Sequence, residues 1–207
     1  YLPNALTGVR LRLSIYGGMR EDQEARIENE LKGLHAILGD IIYSDKDDTL
    51  ESAIGEILKA VGKTLSTAES CTGGMISSLV TSVPGSSEYF LGSVTSYANS
   101  VKENVLGVSP KIIEEYGAVS SECVSAMAEG VRRLTCSDYS VATSGIAGPG
   151  GGSDQKPVGT VWIGVSSHIG TETFSLRFNS DRKRNIERFS SSALHILLKK
   201  IKNELKH

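Results

Sequence analysis

The stretch Thr67-Ala-Glu69-Ser70-Cys71-Thr72-Gly73-Gly74-Met75 constrains this chain most. It follows a β-like run at 63–67 and leads into a helical segment at 76–82, so it reads as a strand ending in a small, hydroxyl-rich turn that opens straight into a helix. Such a turn puts backbone N–H groups and a nucleophilic side chain at the positive end of a helix dipole, where an anion or a developing oxyanion is best held. Gly73-Gly74 would let a ligand or a second backbone come close. The plainer alternative is that Ser70 or Thr72 only caps the helix. The rest of the chain has to decide between them.

At 207 residues the chain can be one large domain, or one domain with a smaller piece attached. Charge is balanced, 22 Lys plus Arg against 24 Asp plus Glu, which gives no reason to expect a nucleic acid or an acidic membrane as partner. No run approaches a membrane span and the first residues do not form a signal peptide, so a cytoplasmic protein is expected. Cys71, Cys123 and Cys136 are widely spaced and contain no C-x-x-C pair, and they suggest neither a disulfide framework nor a zinc site. The chain begins Tyr1-Leu-Pro-Asn without Met, which reads as a fragment of something longer.

Residues 1–45 read as a small α+β piece. Residues 9–15 alternate apolar and polar side chains like a half-buried strand. Ala25, Ile27, Leu31, Leu34 and Leu38 follow helical spacing over 21–38, and Ile41-Ile42-Tyr43 would make a second strand. A polar linker at 44–48 then leads into residues 46–207, the main domain. Its expected elements are a helix at 49–61 capped by Asp48 or Thr49, the opening motif, a strand at 90–97 and a short helix ending at Gly107. Next come a helix starting at Pro110, and one begun by Ser120 that carries Val124, Met127, Ala128, Val131 and Leu134 as its apolar stripe. Strands at 139–143, 158–165 and 173–178 and a long helix over 181–205, burying Ile186, Phe189, Ala193, Ile196, Leu197 and Ile201, complete it. Strands alternating with helices predict a three-layer α/β/α sandwich with a mostly parallel, mixed sheet.

Ligands of open α/β sheets bind beyond the carboxyl ends of the strands. Three segments fit: the turn after Thr67, the strand exit at Tyr97 and the glycine-rich loop after Thr143, and their coincidence argues for one composite site. The loop Ser144-Gly-Ile-Ala-Gly148-Pro149-Gly-Gly-Gly152 has the N–H density to wrap a phosphate, with Lys156 as counter-charge, and it matches neither a P-loop nor a dinucleotide fingerprint. Alternatively it is only a flexible surface loop, although Pro149 and Pro157 stiffen both ends. Lys102 lies five residues past Tyr97. If it points into the pocket rather than to solvent, a depressed pKa would let it take a proton from Ser70. None of the four histidines falls in the three segments, which argues against a Ser-His-Asp triad. Cys71 could replace Ser70 as nucleophile or be an inert core residue. Asp181-Arg182-Lys183-Arg184 and Arg188 put cations at a helix N-terminus, against the dipole, as an anion site or a solvated face would.

Seven motifs in order carry a resemblance: Thr67 to Gly74, Pro84-Gly-Ser-Ser87, Ser96-Tyr-Ala-Asn99 with Lys102, Gly107-Val108, Gly117-Ala-Val-Ser120, Ser144 to Gly151 and Lys156-Pro-Val-Gly-Thr-Val-Trp162. Together they resemble the CinA carboxy-terminal domain, the PncC-like nicotinamide-nucleotide amidase family, over about residues 48–205. Residues 1–45 resemble the end of the small middle domain that precedes it in full-length members, with their amino-terminal domain missing here. The resemblance implies hydrolysis of the carboxamide of nicotinamide mononucleotide to nicotinic acid mononucleotide and ammonia, with no metal or other cofactor in this domain. Carried onto this chain, Ser70 is the nucleophile, Lys102 the general base and Tyr97 a positioning or relay group. Ser144, with N–H groups near Thr72 and Gly73, stabilises the oxyanion. Glu69, Cys71, Thr72, Gly73 and Gly74, then Gly145, Ala147, Gly148, Gly150, Gly151, Lys156 and Arg182, contact the substrate. Ser180 stands where the family has Gly before the Asp-Arg pair. The only partner expected besides this small nucleotide is a second copy, since homodimers are the commonest assembly. A catalytically silent nucleotide-binding or oligomerisation module, and an amidohydrolase for another anionic amide, are the competing readings.

Overall fold

In the computed structural model, which describes residues 2–4 and 8–206, β1 (Leu2–Asn4) and β2 (Gly8–Arg10) pair antiparallel, and α1 (Arg20–Leu38) follows. The strand expected over 9–15 therefore stops at Arg10, and Val9, Leu11 and Leu13 are exposed. A two-stranded ribbon separate from the larger sheet gives the alternating residues no ladder to extend, and they border an open cavity with Leu31 and Leu34 instead. The second expected strand is likewise absent: Gly39–Ile41 is a 3-10 turn, and residues 42–44 are irregular. Ile27, Leu31, Leu34 and Leu38 are half-buried while Ala25 is exposed, so α1 contributes no fully buried residue.

The larger sheet begins after α2 (Leu50–Val61). Thr49 caps that helix by accepting from the Ser52 N–H, and Gly62, in the left-handed region at φ 63°, ends it. Then follow β3 (Leu65–Glu69), α3 (Met75–Thr81), β4 (Phe90–Thr95), α4 (Asn99–Asn104), α5 (Pro110–Tyr116), α6 (Ser121–Thr135), β5 (Tyr139–Gly145), β6 (Thr160–Ser166), β7 (Thr171–Arg177) and α7 (Arg182–Glu204). The strand order is β4-β3-β5-β6-β7. β3 pairs parallel with β4 and β5, and β6 runs antiparallel to both its neighbours. The sheet is thus mixed, with β6 alone reversed; the short 167–170 turn makes β6 and β7 an antiparallel hairpin, and among the described residues no helix lies between β5 and β6 to make a crossover.

Period-two alternation sends successive residues to opposite faces. Leu65, Val141, Val161, Ile163 and Val165 join a core with α2, α3 and α7 residues such as Ile54, Leu58, Ile76, Phe189 and Leu197. Ala68 and Ala142 meet α6 through Val124, Met127, Ala128 and Val131 on the other face. The result is an α/β/α sandwich. Ser120 caps α6 by accepting from the Cys123 N–H at 3.2 Å. Leu134, expected on the α6 stripe, is exposed, and Ile186 and Ile196 of α7 are only half-buried. Among the described residues no helix is long and apolar enough to cross a membrane.

Candidate active site

Three adjacent parallel strands, β4, β3 and β5, end side by side at Thr95, Glu69 and Gly145. The chain leaves β3 for β4 on one flank and later returns to β5 on the other, which opens a crevice beyond the carboxyl ends. Ser70 is the first residue beyond β3. Its N–H still bonds the Thr143 carbonyl at 3.0 Å, so the ladder holds its backbone.

Lys102 on α4 turns back into the crevice and is 1% exposed. Its Nζ lies 3.1 Å from Ser70 Oγ, 2.6 Å from the Ser96 carbonyl and 3.4 Å from the Tyr97 carbonyl. Among the described residues no carboxylate pairs with it. Burial pushes its pKa below the usual lysine range. As a neutral amine, Lys102 can donate to the two carbonyls and turn its lone pair to the Ser70 hydroxyl. That is the geometry of a serine with an adjacent general base.

Glu69 does something other than contact a ligand. Fully buried, its carboxylate accepts from the N–H groups of Gly74 (3.0 Å), Ile76 (3.0 Å) and Ser77 (2.8 Å). It therefore occupies the positive end of α3 from the strand below, and the expectation that this helix terminus offers its donors to a ligand is corrected. Gly73 and Gly74 sit at φ 63° and 101°, reversing the chain so that the helix start folds over Glu69. Near Ser70, the main-chain N–H groups of Cys71 and Thr72 make no backbone hydrogen bond among the described residues, the Cys71 N–H meeting only its own thiol, whereas Gly73 N–H bonds the Ser70 carbonyl at 3.2 Å. Thr72 Oγ1 lies 2.7 Å from Thr143 Oγ1, and both residues are buried.

Cys71 is a core residue. Burial first, and the Glu69 charge next among the factors that raise it, push its thiol up to about 12, so it is protonated at neutral pH and the alternative of a cysteine nucleophile lacks a thiolate. Ser144, expected as an oxyanion donor, is also redirected. Alternation along β5 sends it to the face opposite Thr143, where its hydroxyl donates to the Ala118 carbonyl at 2.6 Å and that proton is committed.

Tyr97 is 63% exposed and its hydroxyl accepts from Arg182 Nη2 at 3.2 Å. Among the described residues that hydroxyl makes no bond to Ser70 or Lys102, so Tyr97 meets the pair through its carbonyl and not as a side-chain relay. Arg182 Nη1 also donates to the Gly148 carbonyl at 2.7 Å, which ties the glycine-rich loop to the β4 exit. Ala147 and Gly148 are buried, and Gly150 and Gly151 are exposed. Gly145 has a packing reason: a Cβ there would lie 2.6 Å from the Thr160 carbonyl oxygen on β6. Lys156 Nζ donates to the Tyr116 carbonyl at the end of α5, at 2.6 Å, and so rests on protein.

The crevice thus gathers Ser70, Lys102, the Tyr97 carbonyl, Arg182 and the Ala147-Gly148 segment, and turns Glu69, Cys71, Ser144 and Lys156 to protein partners. Sequence reasoning passed over Thr143 and Asn185. Asn185, fully buried in the first turn of α7, donates to the Ala147 carbonyl at 3.0 Å and the Ser180 carbonyl at 2.8 Å. An asparagine inside a helix pattern, where its propensity is poor, was the available signal. For Glu69 the signal was Gly74 at the cap position, which has no side chain with which to cap α3.

Comparison with known proteins finds relatives by sequence and by fold. A CinA-like protein of Pseudothermotoga lettingae is 44% identical over 198 residues, covering 96% of this chain and 48% of the relative. One from Cytophaga hutchinsonii is 39% identical over 202 residues, covering 98% of this chain and 48% of the relative. The chain therefore spans about half the length of the curated relatives it matches. Among solved structures, the competence/damage inducible protein CihA from Agrobacterium tumefaciens superposes with a TM-score of 0.71 at 34% identity, over 72% of this chain and 92% of that one. A CinA superfamily protein from Klebsiella pneumoniae gives 0.72 at 32% identity, over 74% and 96%. The family model described as the CinA C-terminal domain matches residues 47–201, and the chain belongs to that family.

Proposed function

We propose that this chain is a nicotinamide-nucleotide amidase, hydrolysing the carboxamide of nicotinamide mononucleotide to nicotinic acid mononucleotide and ammonia. The observation that carries the reading is the buried Lys102 Nζ, 3.1 Å from Ser70 Oγ with its pKa depressed. Ser70 Oγ attacks the amide carbon as its proton passes to Lys102 Nζ. The oxygen that gains charge is met by the N–H groups of Cys71 and Thr72, donors already fixed by the end of β3. Collapse breaks the C–N bond, and Lys102 returns the proton to the departing ammonia. Water then attacks the Ser70 ester, giving its proton to Lys102, and the carboxylic acid leaves as Ser70 regains its hydrogen. Arg182 and the 145–151 loop hold the phosphate, with Arg182 exchanging its bond to Tyr97 for the ligand.

Ammonia release from nicotinamide mononucleotide, compared with nicotinamide riboside and with Ser70→Ala and Lys102→Met variants, tests the reading. Turnover of the nucleotide that both substitutions lower by at least about 1,000-fold supports it. Turnover that survives either substitution refutes the serine-lysine scheme. Absence of turnover in the folded wild type refutes the amidase itself.

A further inference from the structure

We infer that Asn185 is a positioning residue that aims the Gly148 N–H as a donor to the substrate phosphate, an inference that rests on the amidase reading. Two side chains from the first turn of α7 grip consecutive carbonyls of the loop after β5. Asn185 Nδ2 holds Ala147 O at 3.0 Å and Arg182 Nη1 holds Gly148 O at 2.7 Å. The Ala147-Gly148 peptide is trans, so its N–H points opposite to its C=O. Drawing the Ala147 carbonyl toward α7 therefore turns the Gly148 N–H away from α7. That N–H has no acceptor among the described residues although Gly148 is buried, and buried backbone donors are rarely left unpaired.

Gly148 takes φ 92°, a conformation that suits glycine, so the peptide orientation is built into the sequence. Asn185 is itself fully buried, and its Oδ1 has no partner among the described residues. Its Nδ2 holds the Ser180 carbonyl just before α7 as well as the Ala147 carbonyl, but the unmatched buried oxygen costs stability that the local Ser180 bond alone does not require. Its use is to fix the loop. Arg182, by contrast, is exposed and can leave Gly148 for a ligand, whereas Asn185 stays and keeps the peptide aimed.

The test is Asn185→Leu, the same in heavy-atom number and branching and free of both the donor and the unmatched oxygen, with Asn185→Asp as the second variant should the bulkier leucine fail to fold. We expect KM for the nucleotide to rise about 10-fold or more with kcat within about 3-fold, and KM for the phosphate-free riboside to stay unchanged. Peptides spanning 146–152 should also exchange amide hydrogens faster than in the wild type. Failure of wild-type turnover would refute the amidase reading. Unchanged loop exchange, together with unchanged nucleotide affinity by calorimetry in the variant, would refute the role of Asn185. A fall in kcat alone would also refute it, because the donor would then serve the oxyanion.

Discussion

Replacing Glu69 with Gln separates two roles for a residue beside the nucleophile. If Glu69 binds substrate, the change raises KM and leaves stability alone. With its carboxylate accepting from Gly74, Ile76 and Ser77, the change must weaken the fold. Hydrogen bonds to a charged acceptor contribute about 1.5–3 kcal/mol each. Glutamine keeps one acceptor oxygen, which can serve the two donors now on Oε2, and puts an NH2 against the third donor. The loss is then about one charged bond plus the reduced strength of the others, about 2–4 kcal/mol. With a urea m-value of about 2 kcal/mol/M, the unfolding midpoint should fall by about 1–2 M. Glu69→Ala should lose more, because Ile76 N–H is fully buried and water cannot replace its acceptor. Equilibrium urea unfolding followed by circular dichroism reads this directly. A midpoint unchanged within about 0.2 M, with KM raised, would refute the capping argument.

Four further outcomes follow from the same geometry. Lys102 acts as base only when neutral, so kcat/KM should rise with pH through its lowered pKa, and a limb of the wild-type profile that Lys102 does not control, or kcat/KM that falls as pH rises toward the ordinary lysine value, would contradict this. The sign for stability is the same: between that lowered value and the ordinary 10.5 the unfolded chain binds more protons, so Lys102 makes stability rise with pH in that window, a contribution Lys102→Met should abolish. Tyr97→Phe should cost less than about 5-fold in kcat, because the lost hydroxyl meets Arg182 and not the Ser70–Lys102 pair; a 1,000-fold loss on the scale of about that for the nucleophile would restore the relay role. Cys71, protonated and buried, should resist alkylation at neutral pH while exposed Cys136 reacts, as peptide mapping would show, and equal labelling would refute its assignment to the core.

Much of the sandwich was legible because its elements carry their own local signals. Thr49, Ser120 and Asp181 cap the helices they precede, and Pro110 opens α5 at its first turn. Where the reading missed, the deciding contact was distant in sequence. Residues 9–15 alternate as a strand should, yet Val9, Leu11 and Leu13 border an open cavity with Leu31, Leu34 and Phe174 and stay part-exposed. The site divides in the same way. Ser70 and Lys102 were nameable because strand exits collect ligands and histidine was absent from all three. Their approach is a property of the β4-β3-β5 order, which no local pattern encodes. Ser144 and Lys156 looked like ligand groups because their chemistry fits. Their partners, Ala118 and Tyr116, are carbonyls that any residue could supply, so the sequence holds no trace of them. The same holds for Asn185, whose acceptor lies 38 positions away.

The most direct test of the central claim is the pre-steady-state release of ammonia from nicotinamide mononucleotide, read with mass analysis of the quenched protein. The account predicts ammonia release together with a nicotinyl-nucleotide ester on Ser70, absent in Ser70→Ala and not formed in Lys102→Met. Ammonia release at the wild-type rate from Ser70→Ala, or an adduct on another residue, would contradict it.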